Sequence, residues 1–115
     1  ICFLAITYIK KKFGYDDSLD AFGCHGVGGM WGALVTGVFS TSALNPLAAD
    51  GLLYGNPGQV LIQLVGVCLT IFVASVMTVL LLKLVKLVTP LRVSESEEKE
   101  GLDLNEHGEG AYAKF

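Results

Sequence analysis

Apolar and charged residues are segregated along this chain in long blocks. Residues 1–9 are almost wholly apolar and end at Lys10, Lys11 and Lys12; a second apolar run covers residues 21–39, and a third, residues 60–82, carries no charge. Between Asp20 and Asp50 the one acid or base is His25, and within 60–82 the one strongly polar residue is Gln63. About 20 apolar residues at roughly 1.5 Å each cross a hydrocarbon core. The pattern therefore predicts membrane-spanning helices over residues 20–41 and 58–88, with residues 1–12 the end of a third. The chain starts with Ile, so its first residues read as the tail of a helix that begins upstream. A cleaved signal peptide does not fit, because no basic leader precedes the apolar residues and no small-residue cleavage site follows them. The expected class is all-α, a polytopic membrane helical bundle, with this chain as a C-terminal piece of it.

Charge adds an orientation. Over half of the 115 residues are hydrophobic and the net charge is −3. Residues 1–91 hold five Lys and four Asp, whereas residues 92–115 hold three basic and seven acidic groups. Lys10, Lys11 and Lys12 close the first apolar segment and Lys83, Lys86 and Arg92 the last, but residues 40–59 contain no Lys or Arg. By the positive-inside rule the Lys clusters, a loop over 13–19 and a tail over 89–115 are cytoplasmic, and the connection over 42–57 is extracytoplasmic. The charge pattern calls for no nucleic-acid partner.

A histidine in such a run is expensive, since low dielectric opposes its charge and the ring still needs hydrogen-bond partners. Two readings of His25 stand side by side: a group on a substrate path, or a hydrogen-bonding residue that holds helix packing. Asp17 and Asp20 precede the segment with the spacing of an N-terminal cap. Gly23, Gly26, Gly28, Gly29, Gly32 and Gly37 then follow. Glycine costs about 1 kcal/mol per residue in a helix relative to alanine, so this density points to close helix approach, as in the pairs Gly28 with Gly32 or Gly32 with Thr36. At about 100° per residue, Phe22, His25, Gly29 and Gly32 share one stripe beside the imidazole. Met30 and Trp31 read as packing or lipid-facing groups. Gln59, Gln63, Gly66 and Thr70 mark the packed face of the last helix. Cys2, Cys24 and Cys68 lack metal-like spacing and read as buried, reduced thiols.

Beyond Thr89 and Pro90 the composition turns acidic. Ser94 and Glu97 have capping-box spacing for a short helix stopped by Gly101, and Asp103 with Glu106 suggests the cap of a second turn. Leu91, Val93, Leu102, Leu104 and Tyr112 are too few apolar groups for an independent core. His107 beside Glu106 and Glu109 is a weak metal pattern, and no metal site is assigned.

Two separated motifs carry a family resemblance. Asp16, Asp17, Ser18, Leu19, Asp20, Ala21, Phe22, Gly23, Cys24, His25, Gly26, Val27, Gly28 and Gly29 resemble the start of the tenth helix of the ammonium transporter family (Amt/Mep/Rh). Leu91, Arg92 and Val93, then Gly101, Leu102 and Asp103, then His107, Gly108 and Glu109, then Ala111 and Tyr112 resemble its C-terminal region, closer to the ammonium transporters proper than to the Rh branch. The resemblance implies the end of helix nine, helices ten and eleven and the cytoplasmic tail of an eleven-helix protomer in a trimer, with a pore through each protomer and inverted repeats. It implies a transporter of ammonium or ammonia in the cell membrane, not an enzyme, and no cofactor. His25 matches the second of two adjacent pore histidines; the first, the paired phenylalanine gate and the outer recruitment site lie upstream of this chain. Asp20 matches an aspartate near the cytoplasmic pore end, structural or capping in role, with Phe22, Gly29 and Gly32 supporting the pore helix. The tail residues Arg92, Gly101, Leu102, Asp103, His107, Gly108, Glu109 and Tyr112 match a docked regulatory region that contacts the neighbouring protomer and, in bacterial and archaeal members, answers to a P-II-type signalling protein. A haem-anchoring subunit would need a second ligand, and no other histidine lies in a spanning segment; a purely structural membrane subunit is the remaining alternative.

Overall fold

The computed structural model describes residues 1–110, all of them in helices, turns and loops without strand; Tyr112 lies outside the described residues. Two compact units result, Ile1–Val73 and Ala74–Phe115.

In the first unit, helix α1 covers residues 2–13 and changes pitch twice, from the α-turn Cys2–Leu4 to a π-segment Ala5–Ile9 and back to the α-turn Lys10–Phe13. Gly14 ends it in the left-handed region at φ 61°, where its amide reaches the Lys10 carbonyl at 2.8 Å. Helix α2, residues 22–39, opens with a second π-segment, Phe22–Val27, and continues as the regular α-helix Gly28–Phe39. The two π-segments pack on each other. Ala5 and Gly23 are buried at this crossing, and a Cβ on Gly23 would stand 2.6 Å from Ile6 Cγ1. Gly28 is approached in the same way by the Cys2 sulfur, at 2.8 Å from the position of its missing Cβ.

Helix α2 departs from the uninterrupted helix expected over 20–41. Asp20 lies outside it with φ 53°, a left-handed conformation that Asp tolerates better than most residues. Six residues, Phe22–Val27, take the wider π-turn, a form often found at functional sites.

Helix α3, Gly58–Val85, runs 28 residues and is the one described helix long and apolar enough to cross a membrane. Its N-terminal end packs on the end of α2: a Cβ on Gly37 would meet Val60 Cα at 3.0 Å and Gln63 Cγ at 2.9 Å. Gln59, Val60, Gln63 and Val67 are half-buried along this face, and the surrounding Leu, Val and Ile side chains are open. Among the described residues Ala5 is the one buried hydrophobic side chain. A chain that is about half apolar and has so little core among its described residues needs lipid or other protein over its surface, because water-exposed apolar area on this scale is unfavourable.

The connection between α2 and α3 is fastened at both sides. Gly51 N–H donates to the Ser40 carbonyl at 2.8 Å, Ser40 Oγ donates to the Ala49 carbonyl at 2.8 Å, and a short 3-10 turn, Leu52–Tyr54, ends at Gly55. Asp50 Oδ1 accepts from the Ser42 amide at 2.7 Å and from its hydroxyl at 3.0 Å. The Ser42 amide, then the Ser42 hydroxyl, hold the Asp50 carboxyl below its ordinary range. A depressed carboxyl pKa stabilises the fold fully above the unfolded value of about 3.9, and that contribution is lost as pH falls through the lower folded value. Amide exchange at Ser42 is therefore expected to stay slow from neutral pH down through the ordinary carboxylate range and to accelerate only below it, beyond the intrinsic pH trend. An Asp50→Asn variant with the same Ser42 exchange profile would contradict this.

In the second unit, helix α4, Glu95–Glu100, carries a complete capping box: the Glu97 amide donates to Ser94 Oγ and the Ser94 amide to Glu97 Oε2 at 2.8 Å. The Ser94 hydroxyl and then its amide lower the Glu97 carboxyl pKa. Helix α5, Leu102–His107, follows directly. Its N-cap is Gly101, without a side-chain cap, so Asp103 lies in the first turn and does not cap with Glu106 as its spacing suggested. The physical reason is Gly101 at φ 111°, which turns the chain two residues earlier than an Asp103 cap requires.

Candidate functional site

The start of α2 is built by two aspartates with different tasks. Asp17 is the cap: Oδ1 accepts from the Ala21 amide and Oδ2 from the Phe22 amide, each at 2.9 Å. A charged acceptor there satisfies free helix donors and favours the positive helix end, a contribution of about 0.5–2 kcal/mol. Asp20 does not cap with its side chain. Its carboxylate takes the Lys10 ammonium at 2.6 Å, and its carbonyl accepts from Cys24 at 2.9 Å. Lys10 Nζ also donates to the Asp17 carbonyl, so one ammonium holds both aspartates. Both partners of the ion pair remain about a third exposed, at 29% and 34%, which limits the pair to roughly 0.2–1 kcal/mol.

Phe22 packs edge-on against Tyr15, ring centres 5.7 Å apart, and covers Gly26, whose Cβ would stand 2.8 Å from the ring. This differs from the stripe read off the sequence. A turn of 100° per residue belongs to the α-helix; i to i+5 bonding advances less per residue, and the ring comes to rest on Gly26. Tyr15 Oη is inaccessible and has no hydrogen-bond partner among the described residues.

His25 lies inside the π-segment and is exposed; its carbonyl accepts from the Gly28 amide, and its imidazole hydrogen-bonds to no described residue. Gly29 and Gly32 are equally open, since a Cβ on either would meet nothing within 4 Å. The glycines of α2 thus divide by function. Gly23, Gly28 and Gly37 admit α1 or α3, whereas Gly29 and Gly32 leave a bare strip on the helix that bears the imidazole. Thr36 Oγ returns to the Gly32 carbonyl at 2.9 Å, satisfying itself within the helix.

Of the tail residues, Arg92 pairs with Glu98 at 3.3 Å, and Glu109 N–H donates to the Asp103 carbonyl at 3.2 Å. Gly101 and Gly108 both take positive φ, and Leu102 and His107 are exposed. Lys10, Tyr15, Ile6 and Cys2 were not singled out from the sequence as site residues. The one signal available for Lys10 was a base at a helix end near a run of acids, and for the others there was none.

Comparison with known proteins gives this constellation its context. The sequence model described as the Ammonium Transporter Family matches residues 1–112. The chain belongs to the ammonium transporter family. It is similar to an ammonium transporter of Bacillus subtilis (strain 168), 48% identical over 97% of this chain and 28% of the relative. An ammonium transporter of Aquifex aeolicus (strain VF5) is 52% identical over 96% of this chain and 25% of that protein. One from Archaeoglobus fulgidus is 44% identical, over 97% and 28% respectively. The chain therefore spans about a quarter of the length of these relatives. Ammonium transporter family membership makes this a helical membrane protein of a transporter family, in keeping with the helices, the one long apolar helix and the small core among the described residues.

Proposed function

We propose that the protein containing this chain conducts ammonium or ammonia across the cell membrane and that His25 lines its path. One observation carries the reading: in an ammonium transporter family chain, the imidazole and the bare strip at Gly29 and Gly32 are left open by the rest of the first unit. An apolar passage strongly opposes a bare cation and admits neutral ammonia more readily, while an imidazole can hold a proton and pass it on through its two nitrogens. Phe22 and Asp20 support the pore helix, the former by its packing on Gly26 and Tyr15, the latter through Lys10. In this reading the protein is a homotrimer of multi-pass protomers. Its tail, through Arg92, the Gly101 to Asp103 turn, His107, Gly108, Glu109 and Tyr112, docks on the cytoplasmic face, where a P-II-type protein acts.

The test uses the full-length protein in cells that lack ammonium uptake. The wild type is expected to restore uptake of ammonium and methylammonium. His25→Ala is expected to change uptake, or the ratio of ammonium to potassium conductance in proteoliposomes, by on the order of tenfold, equivalent to about 1.4 kcal/mol in a barrier. Unaltered transport and selectivity in that variant would remove His25 from the path.

A further inference from the structure

We infer that Lys10 is a positioning residue for His25: its ammonium, set between the two aspartates that start α2, fixes the direction in which the His25 helix leaves its first turn. The inference rests on the pore reading of His25 and adds to it a residue on a different helix. Lys10 opens the last turn of α1, and its Nζ reaches the Asp20 carboxylate at 2.6 Å and the Asp17 carbonyl. Both acceptors control the helix start. Asp17 holds the first amides of α2 through its carboxylate, and Asp20 makes the left-handed turn at φ 53° from which the helix departs.

The crossing above this clamp is tight and offers little freedom. Ile6 rests on Gly23 and the Cys2 thiol donates to the Cys24 carbonyl at 3.7 Å, so α1 contacts the π-segment at the two residues between Phe22 and His25. Releasing Lys10 frees the turn at Asp20 without removing any group from the imidazole's own face. The left-handed Asp20 then relaxes toward ordinary backbone, because a non-glycine residue keeps such a conformation only while its surroundings impose it. A rotation at that turn is carried by the rigid helix to His25, five residues on. An ångström of displacement of a working group can cost about a hundredfold in rate.

Lys10→Met in the full-length protein is expected to reduce methylammonium uptake on the order of tenfold, inside that bound, and to alter the ratio of ammonium to potassium conductance. Lys10→Arg, which keeps the charge and the carboxylate contact, is expected to restore both. In the His25→Ala background Lys10→Met is expected to leave the conductance ratio where His25→Ala has set it, because a residue that acts through His25 has nothing left to position. Wild-type uptake and ratio in Lys10→Met would overturn the inference. A further shift of the ratio in the double variant, as large as in the single one, would also overturn it. If Lys10→Met does not reach the membrane, Lys10→Gln, which keeps amide donors without the charge, and Asp20→Asn are read by the same two measurements. Failure of the wild type to transport ammonium would instead remove the pore reading itself, an outcome distinct from wild-type behaviour in the Lys10 variants alone.

Discussion

Gly51→Ala is expected to destabilise the protein by about 1–3 kcal/mol, the usual range for forcing extra atoms into a filled site. Its Cβ would stand 2.7 Å from both the Gly37 and the Val38 carbonyl oxygens and 2.9 Å from the Val38 carbonyl carbon. These are backbone atoms at the end of α2 and cannot swing aside as a side chain can. Neither can α2 retreat as a body, because Gly37 has Val60 Cα and Gln59 O of α3 against the position of its own missing Cβ, at 3.0 and 3.2 Å. The end of α2 is thus held between the loop on one side and α3 on the other, with a glycine at each contact. Gly51 itself has an ordinary φ of −92°, so the loss comes from contact and not from backbone preference. The measurement is the thermal midpoint of the purified full-length protein together with amide exchange at Ser42. The expected result is a lowered midpoint with faster exchange, since the Asp50 to Ser42 clasp and the Gly51 to Ser40 bond share this loop. An unchanged midpoint would show that the loop has another place to lie.

What could be read from the sequence divides along the range of each interaction. The α3 helix follows from an uninterrupted apolar run, and the Ser94 and Glu97 capping box from residues three apart; both are local and depend on side-chain type alone. The choice between Asp17 and Asp20 was not legible, because a cap is defined by where the backbone leaves the extended region. Here Asp20 turns left-handed and gives its carboxylate to Lys10, ten residues away. The π-segments were hidden for a related reason. Widening a turn depends on what packs against it, in this case Ile6 over Gly23, and no residue preference encodes it. Small-residue spacing indicated that α2 is approached closely, but not which glycines receive α1, which receive α3, and which remain bare. The same limit applies to Asp103, whose capping potential was real but pre-empted by the turn at Gly101.

That division of glycines leads to the second large effect. Gly29→Leu is expected to leave the thermal midpoint of the full-length protein near the wild-type value while reducing methylammonium uptake by on the order of tenfold or more, above 1.4 kcal/mol in a barrier. Among the described residues a Cβ at this position finds nothing within 4 Å, so the new side chain leaves the helix without a clash at its root. Replacing glycine inside a helix removes an entropic cost of roughly 0.5–1 kcal/mol, which favours the folded variant. The side chain then projects from the helix that carries the exposed His25, over the strip that Gly29 and Gly32 leave bare. If this strip borders the ammonium path, a leucine narrows the path without disturbing the packing that Gly23, Gly28 and Gly37 serve. The two properties separate the readings. A strip covered by another helix would be overpacked by leucine, and the midpoint would fall together with uptake. Loss of uptake at constant midpoint identifies an open lumen, whereas a joint loss identifies a helix contact and takes the pore role away from this face of α2.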